Sequence, residues 1–333
     1  MERRKALIIG IDHYDAFTPL RGCVSDARSV AAVLERHDNK EINFQTPKLL
    51  LGEDQYAQVS RRALRSSIEA LFDDDPDIAL LYFAGHGFID GAGGYLCSSE
   101  CQDGSDGVPL VDVVNFARKS KAKNKIIILD SCHGGILGNY QTDTGTAEID
   151  EGMTLLTASS EQQYSYEGGN GAPGVFTNLL VDALEGSAAN LVGDITPGSV
   201  YAHIDQSLGA WGGQRPVFKT NVKSFVSLRK ARPPLSTDDL RLISSIFPDA
   251  KKQFPLDPTF EPERSDEQKN DQSIPPPDPK NTKIFKILQA YARVNLVRPV
   301  DAEHMWHAAW YSKACELTIL GHHYHRLVSK GLI

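Results

Sequence analysis

The sequence predicts an α/β fold built on a mostly parallel sheet covered on both faces, followed by a small α-helical domain. Three observations carry this. Several short runs are apolar without interruption, which is how strands buried on both faces read. These runs alternate with stretches of helical spacing, the pattern of strands joined by crossover helices. Near residue 248 the composition changes, with eight of the eighteen prolines falling in the 35 residues 248–282.

The elements follow in order. Ala6–Ile11 is predicted as a first buried strand. Asp26 precedes an amphipathic run with Val30, Val33 and Leu34 that ends near His37. Val59–Phe72 is predicted helical, with Ala63, Leu64, Ile68 and Leu71 on one face. Ile78–Phe83, Ile126–Leu129 and Met153–Thr157 are predicted as further buried strands, and Val111–Lys119, Phe176–Leu184 and Ser199–Leu208 as helices. Residues 1–230 are thus expected to form one domain. Residues 231–282 read as a helix, Ser236–Phe247, and a Pro-rich linker poor in buriable surface. Residues 283–333 read as a helical regulatory or partner-binding domain, with helices over Lys283–Asn295 and Asp301–Leu320. Met305, Ala308, Ala309, Ser312, Cys315 and Ile319 follow helical spacing in the second.

Composition narrows the function classes. The 333 residues are 41% hydrophobic and 23% charged, enough for a sizeable core, with a net charge of −8. A general nucleic-acid binder needs a basic face, so none is expected. No apolar run approaches the roughly 18 residues of a membrane span, and the N-terminal apolar stretch is too short for a signal peptide. Five scattered cysteines fit reduced thiols in a cytoplasm better than a disulfide framework.

The chemistry gathers where two strands end. Ile78–Phe83 runs into Ala84-Gly85-His86-Gly87, and Ile126–Leu129 into Asp130-Ser131-Cys132-His133-Gly134-Gly135. In an open parallel sheet functional groups collect at the carboxyl ends of strands. If the two strands are neighbours, His86 and Cys132 share one edge. An imidazole can take the proton of a thiol, and the thiolate is the nucleophile. The glycines let backbone N–H groups approach a substrate, so the N–H groups of Gly87 and Cys132 are the candidate oxyanion donors.

These stretches resemble the caspase-like cysteine peptidases, in their metacaspase and bacterial branches. The resemblance rests on Ala6-Leu-Ile-Ile-Gly-Ile-Asp, Leu20-Arg-Gly-Cys-Val-Ser-Asp-Ala, Tyr82-Phe-Ala-Gly-His-Gly and Leu129-Asp-Ser-Cys-His-Gly-Gly. Leu156-Thr-Ala-Ser-Ser-Glu-Gln-Gln and Gly174-Val-Phe-Thr follow in the expected order. It covers about residues 5–228 and implies a caspase-hemoglobinase three-layer sandwich. It also implies peptide hydrolysis by a His86–Cys132 dyad through an acyl-enzyme.

Substrate preference follows from charge. Residues 126–214 contain eleven Asp and Glu and no Lys or Arg. Acidic walls favour a cationic side chain, since carboxylates pair strongly with guanidinium. The resemblance implies that Asp26 and Asp130 line the primary specificity pocket, with Glu167 as a further acid. Cleavage after Arg or Lys is expected. Such an enzyme cannot cut itself within 126–214, so a single-chain enzyme is expected. No cofactor is expected, with calcium as the alternative that the resemblance opens. Its candidate ligands are Asp90, Glu100, Asp103, Asp106 and Asp112.

Near the end, five of the ten histidines fall between His304 and His325. A zinc site among His304, His307, Cys315, His322, His323 and His325 matches no trusted structural spacing. Trp306, Trp310, Tyr311, His322 and Arg326 suit a planar, nucleotide-like anion, or simply a helical face with an aromatic core. The segment resembles small helical modules appended to effectors of bacterial conflict and defence systems. That implies an effector held inactive until a protein partner or small signalling molecule engages residues 283–333. Two other classes stay open: a catalytically silent scaffold with this fold, and a nucleotide-binding α/β module. The second lacks a Gly-rich loop after the first strand.

Overall fold

The computed structural model describes residues 2–44, 46–131, 149–158, 174–211, 215–222 and 224–333. The chain divides into two compact units, Met1–Arg232 and Pro233–Ile333.

The first unit contains, in order, β1 (Arg4–Ile11), α1 (Cys23–Glu35), β2 (Lys48–Gly52), α2 (Arg61–Asp73), β3 (Ile78–Ala84), β4 (Gly87–Asp90), β5 (Gly93–Leu96) and β6 (Val108–Pro109). Then come α3 (Leu110–Lys119), β7 (Asn124–Asp130), β8 (Met153–Thr157), α4 (Val175–Asp182), β9 (Asp194–Ile195), α5 (Pro197–Leu208), β10 (Val217–Asn221) and β11 (Arg229–Lys230). Six strands form the central sheet in the order β10-β8-β7-β3-β1-β2. Every neighbouring pair is parallel except β10, which runs antiparallel to β8.

Alternation along the strands builds the two cores, because successive side chains point to opposite faces. Leu7, Ile9, Leu81, Phe83, Ile127 and Leu129 pack with Leu64, Ile68 and Leu71 of α2 and Val113, Val114 and Ala117 of α3. Ile8, Leu80, Tyr82, Ile126 and Ile128 pack on the other face with α1, α4 and α5. Each such side chain contributes about 1.5–3 kcal/mol on burial, and the result is a three-layer sandwich. Gly10 lets α1 lie close against β1: a Cβ there would lie 2.2 Å from the Cys23 carbonyl oxygen and 2.7 Å from Ala27 Cβ. The strand β2 and the Gly-rich hairpin β4–β5 were not expected.

The second unit comprises α6 (Thr237–Arg241), α7 (Ile243–Ile246), β12 (Phe254–Pro255), α8 (Asp266–Asn270), α9 (Pro279–Arg293), β13 (Val297–Val300), α10 (Met305–Trp310), β14 (Ala314–Leu317) and α11 (Ile319–Ser329). It is not purely helical. Its three short strands form an antiparallel sheet in the order β12-β14-β13.

The helix expected over Asp301–Leu320 is replaced by α10, β14 and the start of α11. Ser312, with φ +50°, breaks the helical path after α10. The Pro-rich stretch is also more than a linker. Phe254 pairs with Cys315 across the sheet, Leu256 and Phe260 are buried, and Arg264 sits over the Trp310 ring at 5.8 Å. Among the described residues no helix is long and apolar enough to cross a membrane.

Candidate active site

The site lies at the carboxyl edge of the sheet. Gly10 of β1 pairs with Ala84 of β3, and Ala84 with Asp130 of β7. The Gly85 N–H donates to the Asp130 carbonyl at 3.3 Å. The chain segments that leave β3 through His86 and β7 through Ser131 are therefore neighbours. Cys132 and Glu167 lie outside the described residues.

His86 is held from three sides. Its backbone N–H donates to the Tyr14 hydroxyl at 2.8 Å. Its ring lies 4.6 Å from that of Tyr14 and 5.8 Å from that of Phe17. Its Nε2 is 2.8 Å from the Thr18 carbonyl oxygen. A carbonyl only accepts, so Nε2 carries the proton, and in the neutral ring Nδ1 keeps its lone pair. Tyr14 is buried, and that burial, with a smaller contribution from Cys23, pushes its phenol well above the ordinary range. Gly85 leaves room for this contact, since a Cβ would come within 2.5 Å of the Tyr14 hydroxyl.

Gly87 starts the hairpin opposite Leu96. The Cys97 N–H donates to the His86 carbonyl at 3.0 Å. That makes Gly87–Leu96 a non-hydrogen-bonded pair, so the Gly87 N–H points away from β5.

The two aspartates come together around Tyr82. Tyr82 is fully buried, and its hydroxyl is 2.6 Å from Thr177 Oγ1. Thr177 Oγ1 donates to Asp130 Oδ2 at 2.7 Å. A hydroxyl has one proton, so Tyr82 donates to Thr177, and a relay runs Tyr82–Thr177–Asp130. Burial, then the Asp130 and Asp26 charges, push the Tyr82 phenol well up. Asp26 sits in the first turn of α1, is 3% exposed, and accepts the Gly174 N–H at 3.2 Å. It does not cap α1. The Asp12 Oδ1 does, accepting the Cys23 N–H at 2.8 Å. Tyr82 and Thr177 were missed at the sequence level. A tyrosine inside an apolar strand signals packing, and only the Gly174-Val-Phe-Thr segment flagged the threonine's neighbourhood.

The other acids have structural work. The Asp90 carboxylate accepts the Ala92 and Gly93 N–H groups, and Glu100 accepts that of Arg61. Asp103 and Asp106 form a capping box, and Asp112 pairs with Arg65. Among the described residues no three His, Cys, Asp or Glu side chains converge as a metal site.

In the second unit the expected ligand residues fall into two sets. Trp306 stacks on Trp310 at 5.5 Å, and Tyr311 on His307 at 6.0 Å, along α10. His322 and Arg326 instead line an open cavity with Asn295, Ile319, Leu320 and His323. His325 is engaged with the Phe247 carbonyl, its Nε2 lying 2.8 Å away.

Residues 3–226 match the family model described as the caspase domain. No curated protein matches the chain significantly in sequence. Among solved structures, caspase-1 from Spodoptera frugiperda is similar at 15% identity and a TM-score of 0.51, the match covering 69% of this chain and 92% of that one. A Geobacter sulfurreducens protein is similar at 18% identity and a TM-score of 0.50, covering 69% of this chain and 98% of that one. Both likenesses concern the fold. With more than half of its length matched by the family model and its sheet assembled as described, the chain belongs to the caspase-domain family, whose members are cysteine peptidases.

Proposed function

We propose that the first unit is a cysteine endopeptidase that cleaves after Arg or Lys, with Cys132 as nucleophile and His86 as the proton-transfer group. The observation that carries this is the sheet register. Ala84 pairs with Asp130, and His86 and Cys132 each follow those residues by two positions. In this mechanism His86 Nδ1 takes the Cys132 thiol proton, and the thiolate attacks the scissile carbonyl carbon. The N–H groups of Gly87 and Cys132 receive the charge that develops on the oxygen. The tetrahedral species collapses with loss of the amine, which leaves with the proton from His86. Water then hydrolyses the thioester with His86 again as base.

Asp26 and Asp130 supply the negative pocket for the cationic side chain, with Glu167 as a third acid. Their common neighbourhood at Tyr82 and the eleven Asp and Glu with no Lys or Arg over residues 126–214 support this preference. The reading extends to a metacaspase-like, cytoplasmic defence effector switched through the second unit. A protease that cuts after abundant basic residues has to be restrained inside a cell.

The test uses the purified protein and its Cys132→Ala variant on fluorogenic peptides ending in Arg, Lys or Asp, with and without calcium and cell extract. Hydrolysis after Arg or Lys that the variant lacks is expected. Hydrolysis after Asp refutes the pocket, and equal hydrolysis by the variant refutes the nucleophile. If neither protein turns over peptide, labelling of Cys132 by a thiol-reactive Arg peptide decides, and no labelling leaves a silent scaffold.

A further inference from the structure

The chain-wide charge of −8 hides a division between the units. The first unit holds 22 Lys and Arg against 30 Asp and Glu, and the second 13 against 13. Within the second the charges separate again. From Pro279 to the end of the chain there are eight basic residues and three acidic ones. The exclusion of nucleic acid from net charge averaged over these differences.

The order of elements in this unit is informative. A helical pair (α6, α7) leads to a strand (β12), then a short helix (α8) and a long helix (α9). A strand (β13), an excursion carrying α10, and a returning strand (β14) follow. The first strand pairs with the last, and the last with the middle one, all antiparallel. That is the connectivity of a winged helix, with α9 in the place of the helix that other helix-turn-helix proteins lay in the major groove.

The surface chemistry of α9 fits that place. Phe285, Leu288 and Tyr291 are buried and fix one face, and Tyr291 donates its hydroxyl to the Asp239 carbonyl. Lys283, Lys286 and Arg293 are exposed on the opposite face, with Lys280 one turn ahead. The helix contains no Asp or Glu. None of the four forms an ion pair among the described residues, in contrast to Arg298, which is engaged with Glu316. Exposed cations along one helix, unpaired among the described residues, are the electrostatic footprint of a surface that binds a polyanion backbone. A helix of about 10–12 Å diameter also fits a major groove about 12 Å wide.

We infer that the second unit binds double-stranded DNA through the Lys280, Lys283, Lys286 and Arg293 face of α9. The inference does not depend on the peptidase reading. Four phosphate contacts imply a salt slope near −3.6, an affinity loss of about 150-fold between about 50 and 200 mM salt.

Fluorescence anisotropy of the full chain with a labelled mixed-sequence duplex tests it across that salt range. Lys283→Glu with Lys286→Glu and Arg293→Glu is expected to weaken binding at least 100-fold at low salt. The melting temperature should stay unchanged, because the three side chains are exposed. The corresponding Gln variant, which adds no repulsion, separates charge loss from misfolding and should also bind weakly. The Lys283→Arg variant should bind as the parent does. Absence of duplex binding at low salt overturns the inference, and so does binding that survives the Glu variant. Preferential binding of polyglutamate, lost in the same variant, also overturns it, in favour of an acidic protein partner.

Discussion

Replacing Thr177 with valine tests the Tyr82–Thr177–Asp130 relay. The shape is kept and the hydroxyl is lost. Tyr82 then loses its acceptor at 2.6 Å and Asp130 its donor at 2.7 Å. Tyr82 has no exposed surface and Thr177 only 1%, so water cannot readily replace the phenol's partner. A buried hydroxyl left unpaired costs about 1–3 kcal/mol, and a hydrogen bond to a charged group contributes about 1.5–3 kcal/mol.

Urea unfolding should therefore show a loss of about 2–4 kcal/mol for Thr177→Val. Adding Tyr82→Phe to that background removes the stranded hydroxyl and should return about 1–2 kcal/mol of it. The four proteins form a double-mutant cycle. Independent sites add to within about 0.5 kcal/mol. A coupling inside that margin refutes the relay. If Asp130 lines the specificity pocket, Thr177→Val also lowers kcat/KM for Arg peptides by about tenfold or more, while reactivity of the free thiol towards a small alkylating agent stays the same.

Three further outcomes are expected. Gly10→Ala forces a methyl against the Cys23 carbonyl at 2.2 Å and should lower stability by about 1–3 kcal/mol or more, read as a lower Tm. Tyr14→Phe removes the acceptor of the His86 N–H and should cost about 1–3 kcal/mol; a loss of kcat with KM nearly unchanged marks a positioning role towards His86. His37 is held below its ordinary pKa by partial burial and then by Arg4, Arg229 and Lys230, and its Nδ1 accepts the Lys230 N–H at 3.0 Å. Because the folded state prefers neutral His37, its contribution is complete above about pH 6.5 and is lost as the pH falls through the lower folded value. His37→Gln should flatten stability over that window, and an unchanged slope in the variant excludes His37 as its source.

Much of the first unit is legible in the sequence because buried strands leave uninterrupted apolar runs and amphipathic helices leave periodic ones. The predicted strand Ile78–Phe83 and helix Val111–Lys119 differ from β3 and α3 by one residue at one end. The His86 segment and Asp130 are legible because they sit beside glycines and at strand ends, whereas Asp26, in the first turn of α1, is singled out only by the family resemblance. The relay is not legible, because Tyr82 and Thr177 are 95 residues apart and only the packing of α4 on the sheet joins them.

The second unit misleads for two physical reasons. Residues 305–319 carry helical spacing, yet the left-handed backbone at Ser312 redirects the chain into β14. The prolines of 248–282 suggest an open linker, yet Leu256 and Phe260 are buried there. Three strands of two to four residues are too short to show alternation.

The alternation of β3 has a consequence for how a member of this family diversifies. Tyr82 belongs to the core shared with α1 and α4, whereas Phe83 and Tyr14 belong to the core on the opposite side of the sheet. The aspartate relay is thus underpinned from one face and His86 from the other. If Asp26 and Asp130 line the pocket as proposed, a lineage can recut one layer, and with it the shape and charge of that pocket, while the support beneath the imidazole stays intact. Preference for the residue before the cut and competence to cut are then heritable almost separately, divided by the thickness of one strand.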